Sequence, residues 1–251
     1  MKKVFSVTPG LTRQPMLYCP GCMHGVVHRL VAEVLVEQQL LGDAIGISPV
    51  GCAVLAHEYF NCDFQQAAHG RAPAVATGIK RVHPDKIVFT YQGDGDLASI
   101  GLGEFLHAAI RGEQITIIFI NNAVFGMTGG QMAPTTLDGQ KTSTTPLGRD
   151  PAQCGHPLHV SELVATIDGA TFVERVDAFS PAGVRRAKKA ISRAFEVQRK
   201  KLGFSFVEVL STCPVNWGLR PDAALAWGER HMKPIYPVRN FRDPEAPAGG
   251  A

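Results

Sequence analysis

Two short polar loops, each placed directly after an apolar run, constrain the fold of this chain more than any other feature. Residues 87–91 and 115–120 have the composition of β-strands, and the segment 97–111 between them has the length and Ala/Leu content of a crossover helix. Parallel strands joined by a right-handed crossover end at the same edge of a sheet, so Asp94 and Asn122, 28 residues apart in sequence, should meet there. The pattern predicts an α/β fold with a mostly parallel sheet flanked by helices.

The residue types in these two loops favour a divalent metal bound together with a diphosphate. A carboxylate, an amide oxygen and a main-chain carbonyl are hard donors suited to Mg²⁺, which completes its shell with phosphate oxygens and water. Glycine removes the Cβ atom where backbone must approach phosphate, and a helix that starts near Leu97 points N–H groups at negative charge. The glycines of the two loops are Gly93, Gly95, Gly126, Gly129 and Gly130. A metal ion would allow Asp94 and Asp96 to lie beside an anion.

Two other interpretations of the same loops remain open but explain fewer of their features. Gly93-x-Gly95-x-x-Ala98 satisfies a loose dinucleotide-binding fingerprint between a strand and a helix. That fingerprint requires a ribose-binding acid after the next strand, where this chain has Asn121 and Asn122. Unneutralised acids would also repel a bare pyrophosphate. The second alternative is a glycine-rich turn whose acids are simply solvated.

The sequence around the second loop carries a family resemblance. The Gly-Asp-Gly and Asn-Asn pattern, followed by Phe-Gly-Met-Thr-Gly-Gly-Gln-Met-Ala-Pro-Thr-Thr at 125–136, resembles thiamine-diphosphate enzymes and in particular the β subunit of 2-oxoacid:ferredoxin oxidoreductases. The resemblance covers most of the chain and implies a thiamine-diphosphate-binding fold. It implies that the Asp94 carboxylate, the Asn122 side chain and the Val124 carbonyl bind Mg²⁺. The residues that it places around the diphosphate are Gly93, Gly95, Asp96, Gly126, Met127 and Thr128.

Four of the six cysteines lie in short turns of small residues, and their spacing suits metal binding. Cys19-Pro-Gly-Cys22 is a C-x-x-C pair, whereas Cys52 follows a glycine and Cys213 precedes a proline. No secretory hydrophobic segment is recognisable before them, so we expect no disulfides. Thiolates at this spacing can hold zinc, a redox disulfide or an iron–sulfur cluster. The spacing alone leaves a cluster, zinc and unrelated buried thiols equally open.

The resemblance implies a [4Fe–4S] cluster next to the thiamine cofactor. Its ligands would be Cys19, Cys22, Cys52 and Cys213, and the cofactor would also be contacted by Gly51, Cys52, Ala53 and His69. The stretch 69–80 matches the family, and we predict a catalytic role for His69 over a merely structural one. Cys62 and Cys154 have no counterpart in the family, and a free cysteine is commonly a small buried hydrophobe.

Composition and charge limit the remaining classes. At 251 residues and 45% hydrophobic content, the chain can bury a large core, and we predict one domain over 1–242 with a mobile Pro/Gly/Ala tail at 243–251. A net charge of +3 argues against nucleic acid as the main ligand, and no apolar run is long enough to span a bilayer. We therefore expect a cytoplasmic protein. The basic segment 182–201 fits the solvated face of a helix docked on the sheet better than a surface for nucleic acid, membrane or ferredoxin.

Further elements follow from periodicity and turn signals. We predict helices at 23–40, near 67–81, near 159–167 and at 182–201, strands at 171–176 and 204–210, and a long polar loop at 133–159.

The activity that the resemblance implies is CoA-dependent oxidative decarboxylation of a 2-oxoacid to acyl-CoA and CO₂, with reduction of ferredoxin. The short β subunits that the sequence resembles act on 2-oxoglutarate or on branched-chain acids such as 2-oxoisovalerate, and pyruvate stays open. The family supplies a glutamate to thiamine from a pyrimidine-binding domain, so we expect an obligate α subunit, with γ and ferredoxin-like δ subunits. The alternatives are a non-redox thiamine-diphosphate decarboxylase or synthase subunit and, far behind, a basic interaction protein.

Overall fold

A seven-stranded sheet forms the centre of the molecule in the computed structural model, which describes residues 6–245. The strand order is β2-β1-β3-β4-β8-β7-β9, and every pair is parallel except β7 with β9. The strands of this sheet are β1 (Ala44–Ser48), β2 (Asp63–Gln66), β3 (Ile87–Gly93), β4 (Thr116–Asn121), β7 (Ala170–Asp177), β8 (Phe204–Leu210) and β9 (Arg239–Arg242). A two-stranded hairpin consists of β5 (Val124–Phe125) and β6 (Gln131–Met132).

Helices cover both faces of the sheet. They are α1 (His24–Glu37), α2 (Ala56–Tyr59), α3 (Ala72–Val82), α4 (Leu102–Ile110), α5 (Pro151–Cys154), α6 (Val160–Ala165), α7 (Pro181–Arg199), α8 (Pro214–Trp217), α9 (Pro221–Trp227) and α10 (Lys233–Ile235). Shorter 3₁₀ turns occur at Leu41–Asp43 and Cys52–Leu55, and π-helical turns at Asp96–Ile100 and Gly228–Met232. The predicted mostly parallel sheet flanked by helices is confirmed.

The central strands are buried on both sides because their side chains alternate between two cores. Phe89 and Ile118 belong to the core beneath α1 and α7. Val88 and Ile117, one residue earlier on the same strands, belong to the core beneath α3, α4 and α6. This explains why 87–91 and 115–120 are continuous apolar runs in the sequence rather than alternating ones.

The basic segment forms helix α7, which begins where the Ser180 hydroxyl accepts a hydrogen bond from the Gly183 amide at 3.1 Å. Its apolar stripe, including Ile191 and Phe195, is fully buried against the sheet. Its cations lie toward solvent or pair with neighbouring acids, as Lys188 does with Glu33 at 2.9 Å. This arrangement matches the solvated, docked face that the sequence favoured.

Strand register places the two polar loops side by side. Gly93 pairs with Ile120 across β3 and β4, and Asn121 pairs with Leu210 across β4 and β8. Three loops therefore leave the same edge of the sheet together, carrying Asp94, Asn122 and the Cys213 turn. The parallel ends of the central strands are what bring the predicted site residues together.

The structure differs from the sequence-based elements in several places. Strands β1, β2 and β9 and the helices after residue 213 were not predicted. The crossover helix begins as a π-helical turn at Asp96 before continuing as α4. Helix α3 begins at Ala72 rather than near 67, because Gly70 adopts a positive φ of 78° and ends a turn there.

The described part of the chain also includes the first residues of the predicted tail. The Asp243 carboxylate accepts a hydrogen bond from Arg193 at 2.7 Å, and residues 246–251 lie outside the described range. The single domain and the mobile tail stay predictions. Among residues 6–245, no helix has both the length and the apolar content that crossing a bilayer requires.

Candidate functional site

One cavity at the carboxyl edge of the sheet collects every residue that the sequence analysis assigned to Mg²⁺ or to the cofactor. Those residues are Gly51, Cys52, Ala53, His69, Gly93, Asp94, Gly95, Asp96, Asn122, Val124, Gly126, Met127 and Thr128. The cavity is also lined by His24, Val50 and Phe125. These predicted residues come from four separate stretches of the chain and line one cavity.

Asp94 is a buried carboxylate surrounded by hydrogen-bond donors. Its Oδ2 accepts from the Thr135 hydroxyl at 2.6 Å, and its Oδ1 accepts from the Gly95 amide at 2.8 Å. Burial raises the pKa of Asp94 to about 7, although the Thr135 hydroxyl and the backbone amides of Gly95, Ala123 and Asn122 oppose that rise. A buried carboxylate held this way is strongly stabilised in its charged form by a nearby cation.

The loop formed by residues 121–124 holds a fixed and partly strained conformation. Ala123 has a positive φ of 59°, which is unfavourable for a residue with a Cβ atom. Hydrogen bonds hold it: the Ala123 amide donates to Asn121 Oδ1 at 3.2 Å, and its carbonyl accepts from the Thr136 hydroxyl at 2.6 Å. The indole N–H of Trp217 donates to the Asn122 carbonyl at 3.1 Å. Several hydrogen bonds from other segments therefore hold the loop in this conformation.

His69 reaches the cavity from the turn before α3 and lies against Asp96. The Nδ1 atom of His69 is 2.7 Å from Asp96 Oδ1, a charge contact that lacks hydrogen-bond alignment. The Gly70 amide donates to the same oxygen at 2.7 Å, and Gln92 Nε2 donates to Asp96 Oδ2 at 2.7 Å. Burial raises the pKa of Asp96, while Gln92, Gly70 and His69 oppose that rise. Asp96 is thus an anchor for the His69 turn as well as a cavity residue.

Gly95 and Gly126 are required by close packing at the cavity wall. A Cβ atom on Gly95 would lie 2.5 Å from the Phe125 ring, and one on Gly126 would lie 3.2 Å from Cys52 Sγ and 3.7 Å from Cys213 Sγ. The backbone at Gly126 therefore packs directly against the sulfurs of Cys52, which also lines the cavity, and Cys213. The absence of a side chain at Gly95 and Gly126 lets the cavity loops and the cysteine turns pack closely together.

The four predicted cluster cysteines come together from three turns. The Cys19–Cys22 turn docks through Gly21, whose carbonyl accepts from the Thr212 hydroxyl at 2.6 Å, one residue before Cys213. Asn216 Nδ2 donates to Cys213 Sγ at 3.2 Å and to the Gly126 carbonyl at 2.8 Å.

The sulfurs of this quartet are close enough to raise one another's pKa. Burial raises the pKa of Cys22 to about 12, with further contributions from the other three sulfurs, and burial raises that of Cys52 to about 11, with contributions from Cys213 and Cys19. Burial also raises the pKa of Cys213, with a smaller contribution from Cys19. Cys62 is partly buried next to Asp63, and Cys154 lies on α5, so neither joins the quartet.

Within residues 6–245, no three His, Cys, Asp or Glu side chains are already close enough to hold one metal ion. The four sulfurs of the quartet therefore form no ready-made site for a single ion, although their charges interact. For Mg²⁺, the protein donors are a single carboxylate with amide and main-chain oxygens, and Mg²⁺ ordinarily takes the rest of its shell from phosphate and water.

Several residues that organise the site were not predicted. Thr135 and Arg149 belong to the segment that the sequence described only as a long polar loop. The Arg149 guanidinium is buried and donates to main-chain carbonyls, including that of Thr136 at 2.6 Å, and so holds this segment over the cavity. Gln92 and Trp217 had no motif to mark them. One sequence feature could have identified such a residue, namely a polar side chain near the end of a buried strand, as Gln92 is near the end of β3.

Comparisons with known proteins show the family to which the chain belongs. Residues 49–209 match the family model described as "Thiamine pyrophosphate enzyme, C-terminal TPP binding domain". The ketoisovalerate oxidoreductase subunit VorA of Methanothermobacter thermautotrophicus is 52% identical over 229 residues, which are 91% of this chain and 48% of that protein. The 2-oxoglutarate synthase subunit KorB of Methanocaldococcus jannaschii is 39% identical over 82% of this chain and 72% of its own length. The chain thus spans about half the length of the ketoisovalerate relatives it matches.

A solved structure shares the whole architecture. The 2-oxoglutarate:ferredoxin oxidoreductase from Magnetococcus marinus, determined with 2-oxoglutarate, coenzyme A and succinyl-CoA bound, superposes with a TM-score of 0.77 at 25% identity. The match covers 98% of this chain and 87% of that one.

Proposed function

The chain belongs to the thiamine pyrophosphate enzymes and, within them, to the β subunits of 2-oxoacid:ferredoxin oxidoreductases, and we propose that it binds thiamine diphosphate, Mg²⁺ and a [4Fe–4S] cluster. In this proposal, it catalyses CoA-dependent oxidative decarboxylation of a 2-oxoacid, with ferredoxin as the electron acceptor and a cytoplasmic location. The observation that carries the proposal is the single cavity that unites the Asp94 and Asn122 loops and abuts two of the four clustered cysteines.

The chemistry of the donor set supports Mg²⁺ with a diphosphate. Asp94 supplies one buried carboxylate, Asn122 an amide oxygen and Val124 a main-chain carbonyl on a rigid loop, which are the hard donors that Mg²⁺ prefers. Gly93 and Gly51 face open space where a Cβ atom would otherwise stand, which leaves room for a phosphate group. Gly95, Asp96, Gly126, Met127 and Thr128 would line the same group.

The cysteine quartet supports a cluster beside that cofactor. Thiols whose pKa is raised by burial are neutral at physiological pH, and iron binding displaces their protons. Cys19, Cys22, Cys52 and Cys213 would hold the iron, while the Asn216 amide donates to Cys213 Sγ and would tune its charge. Zinc and plain buried thiols explain less, because neither requires the sulfurs to lie against the cofactor cavity.

In this proposal, the groups of this chain bind and orient the cofactor and the substrate, and they exclude water from the cavity. Thiamine diphosphate, when bound, supplies the means to cleave the carbon–carbon bond of a 2-oxoacid. Asp96 lies against His69, with 2.7 Å between Asp96 Oδ1 and His69 Nδ1, and would position the imidazole of His69, the proposed catalytic residue, beside the cofactor. Phe125 packs directly on Gly95 and closes one wall of the cavity. The neutral His24, whose pKa burial lowers to about 4, donates or accepts a hydrogen bond with the Tyr91 hydroxyl at 2.9 Å behind it.

The proposed substrate is 2-oxoglutarate or a branched-chain acid such as 2-oxoisovalerate. The names of the relatives support both, since one is a ketoisovalerate enzyme and another a 2-oxoglutarate synthase. The proposed partners are an α subunit with the pyrimidine-binding domain, γ and δ subunits, and ferredoxin. Subunit names among the relatives support assembly with at least one partner.

The experiment is to purify the chain anaerobically with the subunits that co-purify and to assay iron, acid-labile sulfide and thiamine. We expect bound thiamine diphosphate, about four iron and four sulfide per chain, and CoA-dependent reduction of a viologen dye. Rates with 2-oxoglutarate, 2-oxoisovalerate and pyruvate then identify the substrate. Thiamine and CO₂ release without iron or dye reduction would favour the non-redox decarboxylase instead, and an absence of thiamine would contradict both.

A further inference from the structure

A buried chain of polar contacts runs from the sheet interior to the 121–124 loop. We propose that Asn121 is a positioning residue for the metal, held by Glu208, and that this pair sets the angle at which Asn122 and Val124 present their oxygens. The proposal rests on the proposed function, because it assigns a purpose to Asn121 only if the loop binds Mg²⁺.

Asn121 is fully buried and uses both ends of its amide. Its Nδ2 donates to Glu208 Oε1 at 2.8 Å, and its Oδ1 accepts from the Ala123 amide at 3.2 Å. Because an ionised carboxylate only accepts hydrogen bonds, Glu208 forces the amide nitrogen toward itself and the amide oxygen toward Ala123. The carboxylate on β8 thus selects one of the two orientations of the side chain.

Glu208 is in turn fixed so that it cannot turn away. Its Oε2 accepts from Arg175 Nε at 2.8 Å and from the Ser161 hydroxyl. The fully buried Arg175 lies over the ring of Tyr236, and its other nitrogens donate to Glu162, as Nη1 does at 2.9 Å. Only Oε1 of Glu208 is therefore available to Asn121. The contacts run from Arg175 through Glu208 and Asn121 to the 121–124 loop.

The contact with Ala123 matters because that residue holds the positive φ on which the loop geometry depends. Asn122 lies next to it, and its Oδ1 accepts from the Val124 amide at 3.2 Å. If Ala123 relaxed to an ordinary conformation, the Asn122 side chain and the Val124 carbonyl would no longer be directed together at the cavity. If the Asn121 amide served only to pair polar groups in the core, it would not need the hydrogen bond from the Ala123 amide.

The test exchanges the amide and the carboxylate between positions 121 and 208. Asn121→Asp puts two carboxylates in contact, and we expect the Mg²⁺ concentration that half-saturates thiamine diphosphate binding to rise about tenfold or more. Adding Glu208→Gln restores one donor and one acceptor with the same total charge, because the new amide can donate to the new carboxylate. The double variant should return to within about threefold of the wild type. The matched control is Glu113→Gln, which alters another buried, arginine-paired carboxylate, near the opposite end of β4, and should leave the Mg²⁺ dependence unchanged.

Both readouts are independent of turnover. Mg²⁺-dependent binding is followed by calorimetry on the co-purified complex, and hydrogen exchange of the Ala123 and Val124 amides is measured without cofactor. We expect faster exchange in Asn121→Asp and recovery in the double variant, which decides the matter even if the single variant folds poorly. Wild-type affinity in Asn121→Asp, or no recovery in the double variant, would overturn the proposal. A wild-type complex that binds no thiamine diphosphate would instead contradict the proposed function itself.

Discussion

The Asp94 region and the cysteine region lie on either side of Gly126, yet they are built in opposite ways. Around Asp94, the protein itself provides the hydrogen bonds: Thr135 and Gly95 donate to the carboxylate, and Asn121 and Thr136 hold the neighbouring loop. The side chain of Asp94 is only 2% exposed. This half of the site is therefore held in place by contacts within the protein.

The cysteine region has far less internal support. Cys19 is exposed, and Cys213 is the one of the four whose sulfur accepts a side-chain hydrogen bond among the described residues, from Asn216. Burial raises the pKa of Cys22 and Cys52, so these sulfurs are neutral without iron. In the proposed enzyme, the protein would therefore position the Mg²⁺ ligands largely through its own hydrogen bonds, whereas a cluster with strong iron–sulfur bonds would help to organise its own ligands.

The largest expected effect comes from Asp94→Asn. Removing the carboxylate should weaken Mg²⁺-dependent binding of thiamine diphosphate by more than about 100-fold, since loss of a metal ligand exceeds the 10- to 100-fold effect of an outer partner. Burial already disfavours the charge of Asp94, so the free energy of unfolding without ligand should change by less than about 1 kcal/mol. Calorimetric binding and chemical denaturation measure the two effects. Equal binding in the variant would show that Asp94 is not a ligand.

A second change addresses the other region. Cys213→Ser should remove most of the cluster, seen as loss of iron and of absorbance near 400 nm, while thiamine diphosphate still binds within about threefold of the wild type. Cys62→Ser is the matched control, because Cys62 is a partly buried thiol away from the quartet, and its iron content should stay unchanged. If Cys62→Ser lost iron equally, or Cys213→Ser kept it, the assigned ligand set would be wrong.

The smallest expected effect comes from removing a hydrogen bond to Asp94, which tests whether the residues around this carboxylate contribute to Mg²⁺ binding. Thr135→Val keeps the shape of the side chain but removes the 2.6 Å hydrogen bond to Asp94 Oδ2. A hydrogen bond to a charged group contributes at least about 1.5 kcal/mol, and a loss of that size lowers Mg²⁺ affinity about tenfold. Thr136→Ser, which retains the hydroxyl bonded to the Ala123 carbonyl, serves as a control and should bind normally. An unchanged affinity in Thr135→Val would mean that the loop contributes shape only.

Much of this architecture was readable from the sequence because it depends on local patterns. Buried parallel strands appear as continuous apolar runs, and the motif residues follow them directly, so the position of Asp94 and Asn122 at one edge could be predicted. The docking of helix α7 followed from its apolar stripe in the same way.

The remaining features depend on contacts between distant segments. Strand β2 has only one residue that is not exposed, so it lacks the apolar signal of a core strand. Thr135 lies 41 residues from Asp94, and Glu208 lies 87 residues from Asn121, in segments whose polar side chains look like ordinary loop or strand residues. The folded structure is needed to identify which polar residues are hydrogen-bond partners, because tertiary packing brings them together and their separation along the sequence does not predict it.

The bare backbone at Gly126 has a consequence for protein engineering. A Cβ atom at this position would lie 3.2 Å from Cys52 Sγ, so any side chain here requires the cysteine turns to shift. In the proposed enzyme, a loop transplanted from a non-redox relative, with a larger residue at this point, would push the cysteines away from the cofactor and lengthen the path for electrons. Substrate range could therefore be redesigned elsewhere in the cavity, but not by rebuilding this one spacer.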